Sequence, residues 1–367
     1  MVGFIKLGSL VDIRTGKLNA NAANENGCYP FFTCSVEPLT INTYAYDCES
    51  VLIAGNGDLN VKYYNGKFNA YQRTYIIESK DKDILSVRFL YYFLCEYIDT
   101  LRNNSIGGVI KYIKLSDLTD INFPLIPIQD QKRIVKILDK AQEIRTKKKL
   151  ANEKLDEFLK STFIDMFGDP VTNPKGYKKE LIKNICSTAT GSTPSRDNPQ
   201  YYQNAIISWV KTGEVLNSYI KKTEERISQK AIDETNCKIF PVNTILVAMY
   251  GQGLTRGRVG MLKIEAATNQ ACCAILPGEK INQEFLFNLL KLEYETLRNL
   301  GRGGNQPNLN KGMINDFVIY LPPLEQQNQF AQIVQKVEAQ KENNQKVIEQ
   351  MDNLFNSLMQ QAFNSGL

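Results

Sequence analysis

The sequence predicts an α+β protein built twice over, in which two similar α+β globular domains are separated by two long amphipathic helices paired antiparallel as a coiled coil. The whole is expected to be an internal repeat with pseudo-two-fold symmetry. Three observations carry this. Residues 124–167 and 320–363 match at a constant offset of 196. Both matched runs place apolar residues at helical spacing for about ten turns. The segments before them alternate short β-branched runs with longer helical ones.

The chain of 367 residues with 43% hydrophobic content is long enough for two ordinary domains with buried cores. Along the first globular segment, 1–126, the run TYII (74–77) reads as a strand, VLIAGNG (51–57) aligns loosely with ILVAMYG (245–251) of the second segment, and LSVRFLYYFLCEYIDTLR (85–102) reads as a helix. A first spacer helix occupies 127–168. Proline precedes it, and Gly168, Asp169 and Pro170 stop it. Its stripe includes Ile134, Leu138, Leu155 and Phe158. From Gln129 to Phe167 there are 39 residues, about 58 Å of helix, longer than a compact domain needs. The turn-rich DPVTNPKGYK (169–178) opens the next segment, 169–323, where TILVAM and ACCAIL read as strands and NQEFLFNLLKLEYETLR (282–298) as one helix. The second spacer helix, 324–367, carries Phe330, Val334, Met351 and Leu354 on the equivalent stripe. A stripe this long must be buried, either against its own repeat or against another protein. The polar centre around Arg145–Lys149 reads as a solvated face.

Composition narrows the function. The chain contains no histidine, which removes Ser-His-Asp and Cys-His nucleophiles and nearly all zinc sites. The eight cysteines show no CxxC spacing and read as buried or idle thiols in a reducing cytoplasm. No run of about 18 apolar residues is present, and neither a membrane role nor a cofactor or metal is expected. A net charge of +5 permits nucleic-acid binding without demanding it.

Several motifs occur in a fixed order: MFGDPVTNPKGYK (166–178), TGSTPSRDNPQYY (190–202), ISWVKTGEV (207–215), YGQGLTRGRVG (250–260), ATNQACCAI (267–275) and LPPLEQQ (321–327). With the order domain, helix, domain, helix, the chain resembles the specificity subunits of type I restriction-modification systems over nearly its whole length. The resemblance implies that each globular segment is a target-recognition domain for one half of a split DNA site. It also implies that the spacer helices, through Ile134, Leu138, Leu155, Phe158, Phe330, Val334, Met351 and Leu354, pair with each other and dock methyltransferase subunits. Two such subunits are expected, with restriction subunits joining through the complex. The chain itself is then not an enzyme, and S-adenosylmethionine belongs to its partners. Double-stranded DNA is the expected ligand.

Reading base edges requires directional donors and acceptors, and holding register requires phosphate contacts. In the second domain these are expected from Ser192, Thr193, Ser195 and Arg196 of the GSTPSRDNP loop, from Lys211 and Thr212, from Gln252, Thr255, Arg256 and Arg258, and from Gln270. GQGLTRGRVG lacks the Gly-Lys-Ser/Thr ending of a P-loop, which argues against nucleotide binding. Trp209 reads as core. The first domain offers Asn56, Lys62, Tyr71, Gln72, Arg73 and Lys111. Residues 1–126 hold 12 basic against 13 acidic side chains, and 168–323 hold 19 against 14, so the second domain is the more DNA-like by charge. Because the two sets of loops differ, the target should be split and non-palindromic, its halves no farther apart than roughly 17 base-pair steps. Two other readings fit the same residues: the specificity subunit of a type IIB-like system, and a coiled-coil scaffold with two protein-binding heads.

Overall fold

The computed structural model describes residues 3–251, 253–301 and 307–363. The chain divides into two compact units, residues 1–150 together with 344–367, and residues 151–343. Each is α+β, as the sequence predicts.

In the first unit, strands Gly3–Lys6 and Asn122–Leu125 pair antiparallel. A six-stranded sheet runs in the order Val11–Thr15, Thr74–Ser79, Tyr46–Ala54, Val61–Ala70, Tyr29–Phe32, Leu39–Ile41. Side chains alternate across a strand, and the burial follows that period. Val51 and Ile53 enter the core beneath the helix Val87–Asn104, whereas Leu52 joins Phe68 and Ile76 in a separate cluster. The helix begins where Ser86 Oγ accepts from Phe89 N (3.3 Å), a side-chain N-cap. Phe93 packs edge-on to Phe123, with ring centroids 4.8 Å apart.

The second unit repeats this plan with added parts. A five-stranded sheet has the order Thr188–Thr190, Cys272–Ile275, Ile245–Ala248, Val259–Leu262, Ser218–Ile220, and a three-stranded sheet has the order Glu225–Ile227, Ile207–Val210, Ala267–Thr268. Lys178–Leu181 pairs with Val318–Leu321. Ile245 and Val247 face one cluster, and Leu246 and Ala248 face another. The single helix expected over 282–298 is instead two, Gln283–Leu292 and Tyr294–Asn299. They part at Glu293, whose backbone (φ −85°, ψ 14°) leaves the helical region. Its side chain is buried.

The long helices are Ile128–Phe167 and Leu324–Phe363, 40 residues each, or about 60 Å at the usual rise. Within the first unit, Ile134 and Leu138 from the start of one helix share a core with Phe355, Leu358 and Met359 from the end of the other. Within the second unit, Leu155, Leu159 and Phe163 share a core with Phe330 and Val334. The start of each helix therefore meets the end of its mate, which is antiparallel pairing. The polar centre is paired across the helices and not simply solvated. Lys148 Nζ donates to Asn344 Oδ1 (3.0 Å), its own counterpart at the offset of 196, and Arg145 lies 3.0 Å from Asp352. In the second unit Lys341 meets Asp156 at 2.7 Å.

The repeat extends to a buried glutamine at the base of each helix. Gln131 Oε1 accepts from Ser86 N (2.9 Å) while its Nε2 donates to Ile126 O (2.8 Å). Gln327 does the same with Asn282 N (2.9 Å) and Pro322 O (2.8 Å). Each side chain is fully buried, so each amide ties a domain helix to its spacer helix through bonds that no water replaces. Among the described residues no helix is long and apolar enough to cross a membrane.

Candidate nucleic-acid interface

The candidate site of the second unit begins with one glycine. An added Cβ on Gly191 would lie 2.0 Å from the Thr268 carbonyl oxygen, so only glycine lets the GSTPSRDNP loop pass so close to the strand. Ser192 N then donates to Thr268 O (2.9 Å), and the indole Nε1 of Trp209 donates to Ser192 O (3.2 Å). Trp209 is buried, in line with its core reading. Its ring is part of the floor on which the loop rests.

From that floor the polar residues converge. Thr193 hydrogen-bonds to Gln270. Thr212 Oγ1 donates to Asn269 Oδ1 (2.9 Å), next door in sequence. The Arg196 guanidinium lies over the Tyr202 ring at 4.4 Å and near Trp209 at 5.4 Å, and it donates to Glu225 Oε2 at 2.7 Å. Lys211 Nζ reaches Glu224 at 2.7 Å and Glu225 at 3.2 Å. The hydrogen bond from Arg196 holds the Glu225 carboxyl below the usual carboxylate range, and the one to Glu224 raises Lys211 above the usual lysine value. Exposed Ser195 completes a group of seven: Ser192, Thr193, Ser195, Arg196, Lys211, Thr212 and Gln270. Stacked, forked arginine beside small hydroxyls and an amide is chemistry suited to base edges and phosphates.

Thr255, Arg256 and Arg258 form a second group on the loop 249–258, which joins Ile245–Ala248 to Val259–Leu262. This loop starts beside the first group, since Met249 N donates to Ala271 O (2.8 Å). It is held from below by Arg298, which donates to Gly253 O (2.6 Å) and Arg256 O (3.2 Å), and by Tyr294, whose hydroxyl donates to Leu254 O (2.7 Å). Arg256 is itself bonded to the Pro307 carbonyl, so it shapes the loop. Arg258 is half-exposed. Gln252 lies outside the described residues.

In the first unit the expected residues gather around Cys34. Its thiol donates to Asn56 Oδ1 (2.9 Å) and approaches Arg73 O (3.9 Å), and Asn60 Nδ2 donates to Cys34 O (2.8 Å). Lys62 bonds Asn60, and burial pushes its ammonium below the ordinary lysine value. Gln72 and Arg73 are exposed and Tyr71 is half-buried beside them. Lys111 is joined through its carbonyl to Gly57 N (2.9 Å). Asn56, Lys62 and Arg73 are therefore neighbours, Tyr71 and Gln72 adjoin them, and Lys111 sits at the Asn56 end.

Reasoning from sequence missed the carboxylates Glu224 and Glu225, the positioning amides Asn60 and Asn269, and the Tyr294–Arg298 brace. Glu225 comes to the site only because Trp209 pairs with it across two strands, and a loop-by-loop reading carries no signal of that pairing. Of the helix residues, Ile134, Leu138, Leu155, Phe330 and Val334 belong to the seams described above. Phe158 and Leu354, counterparts at the offset of 196, lie outside them, 51% and 39% exposed. Met351 and Leu354 line a groove of about 900 Å³ with Ile137 and Ile144.

Comparison with known proteins agrees with this architecture. The family described as type I restriction modification DNA specificity domain matches residues 2–154 and 174–353. The chain is similar to the type I restriction enzyme EcoDI specificity subunit of Escherichia coli, 44% identical over 158 residues, which covers 42% of this chain and 34% of that one. It is also similar to the MjaIX specificity subunit of Methanocaldococcus jannaschii, 29% identical over 195 residues, 52% of this chain and 44% of that one. The matches thus span less than half the length of these two relatives. A crystal structure of a type I restriction-modification system S subunit from M. genitalium shares the fold, with a TM-score of 0.71 at 14% identity, covering 99% of this chain and 96% of that one.

Proposed function

The chain belongs to the type I restriction modification DNA specificity family, and from that premise we propose that it is the non-catalytic subunit that reads a bipartite double-stranded DNA target in a type I complex. The observation that carries the reading is the convergence of Ser192, Thr193, Arg196, Lys211, Thr212 and Gln270 on one edge, above a glycine that only close approach explains. Arg196 and Lys211 supply charge for phosphate or a guanine edge, and the hydroxyls and Gln270 supply direction. The carboxylates Glu224 and Glu225 hold the two cations in place until DNA competes for them.

The domain boundaries of this reading are 1–126 and 169–323 for the two readers, with spacer helices 127–168 and 324–367. The spacer helices dock two adenine methyltransferase subunits, one at each of the related exposed positions Phe158 and Leu354. Restriction subunits join through those partners, in the cytoplasm. One partner type meeting two equivalent apolar sites is what an internal repeat supplies.

The test is binding by the chain reconstituted with its methyltransferase, against duplexes selected from a random pool and measured over a salt series. A split site whose affinity falls steeply with salt is expected. Binding without sequence preference, or none at any salt, would replace this reading with that of a protein-binding scaffold.

A further inference from the structure

Resting on the reading of the 191–199 loop as a DNA contact, we infer that the first domain reads its half-site chiefly through Lys17, Asn19 and Asn21 of the loop after Gly16, with Ser35 beside them. None of these stands out in sequence, because the two halves are out of register there.

The strand pairings bring them into register. Phe31 and Phe32 run parallel to Asn69 and Ala70, as Trp209 and Val210 run parallel to Ala267 and Thr268. Tyr71 N donates to Phe32 O (2.9 Å), as Asn269 N donates to Val210 O (3.2 Å). An added Cβ on Gly16 would lie 2.2 Å from Ala70 O and 2.4 Å from Tyr71 O, and one on Gly191 would lie 2.0 Å from Thr268 O and 2.5 Å from Asn269 O. Gly16 is therefore the counterpart of Gly191, Gln72 of Gln270, and Phe32 of Val210. Lys17 then occupies the place of Ser192, and Asn21 that of Arg196, counted from the shared glycine. Ser35, three residues past Phe32, stands where Gly213 stands in the second domain, next to Thr212.

The chemistry fits the position. Lys17, Asn19, Asn21 and Ser35 are exposed, and the short 3-10 turn Ala20–Ala22 carries Asn21 at its centre and begins from Asn19. Gln72 N donates to Leu18 O (2.9 Å), locking the loop against Gln72 as Thr193 is locked against Gln270. Asparagine presents the donor and acceptor pair that matches the N6 and N7 of adenine, and lysine supplies a phosphate or guanine contact. The edge strand differs in a useful way. Trp209 is paired with Glu225, whereas its counterpart Phe31 is paired with Leu39, so no carboxylate answers Glu225 at that position.

The experiment is methylome sequencing of a host expressing the full chain with its methyltransferase, comparing the unaltered chain with Asn19→Ala/Asn21→Ala and Lys17→Ala/Ser35→Ala. The expected result is a loss of about tenfold or more in discrimination at positions in one half of the methylated motif, with the other half unchanged. An unchanged motif in these variants, while alanines at Ser192 and Arg196 relax the opposite half, overturns the inference and leaves the proposed function standing. If the unaltered chain directs no split motif, the proposed function fails and this inference with it. If the variants direct no methylation, competition binding by the purified complex decides. Discrimination lost in one half-site supports the inference, and discrimination kept in both overturns it.

Discussion

The two globular halves differ far more at their edges than in their frames. In the frame, Val51–Ala54 faces Thr74–Ile77 in the same register in which Ile245–Ala248 faces Cys272–Ile275. The buried glutamines Gln131 and Gln327 share two bonds, one to the start of a domain helix and one to the carbonyl five residues before. At the edges, Phe32 and Ala70 are 38 positions apart, but their counterparts Val210 and Thr268 are 58 apart. The second half uses the extra length for Ser218–Ile220 and the helix Gln229–Glu234, while Glu225–Ile227 answers Leu39–Ile41 of the first. It also carries the longer 249–258 loop where the first half has only Gly55–Asn60. Parts that bury apolar area and satisfy backbone groups tolerate little change, whereas surface loops accept insertions at small cost. The proposed reading by two domains needs that division, with one scaffold used twice and two different edges.

Substitutions separate the contribution of the frame from that of the edges. The largest effect is expected in the helix seam, where Leu138→Ala empties a fully buried site and costs about 2–5 kcal/mol. Val334→Ala, its counterpart, removes less and costs less. Urea unfolding of the two variants measures the difference, and a milder effect for Leu138→Ala would show the seam to be stronger in the second unit. Gln131→Leu and Gln327→Leu should each cost about 1–3 kcal/mol by stranding a buried N–H, with Gln131→Leu the costlier because it also gives up the bond to Ile84 O (2.8 Å). Gly16→Ala and Gly191→Ala push a methyl against a carbonyl oxygen, which costs about 1–3 kcal/mol, and each should disturb only its own half of the target.

Two smaller effects concern binding and leave stability nearly unchanged. Glu225→Gln removes the carboxylate that holds Arg196 and Lys211. It should raise non-specific DNA affinity and steepen its salt dependence, as read by fluorescence anisotropy over a salt series, because two cations become available to phosphates. Phe158→Ser and Leu354→Ser alter exposed side chains and should leave the melting temperature within about 2 °C while weakening methyltransferase association. An unchanged association would move the docking surface elsewhere on the helices.

The frame was legible from sequence because period and repetition betray it. The stripe from Ile134 to Phe163 needs a long helix whatever its partner, and the match at 196 supplies that partner. Gln131 and Gln327 fall within the match at 196, but their buried role shows only in the hydrogen bonds they make. The edges were only half legible. The Gly191 loop was found through its motif, whereas the Gly16 loop was hidden because the offset there is 175, not 196, and a comparison at one offset passes over it. Glu225 was invisible because cross-strand pairing, and not sequence distance, puts it beside Arg196. The break at Glu293 was missed because its neighbours have good helical character and the buried carboxylate that interrupts them has no signature of its own.

In the proposed function each half reads its own part of the target from its own edge. The most direct test exchanges residues 191–199 for the corresponding loop of a different specificity subunit and sequences the methylome that the hybrid directs. The expected result is a split motif in which one half changes and the other is kept. An unchanged motif, or one altered in both halves together, would contradict it.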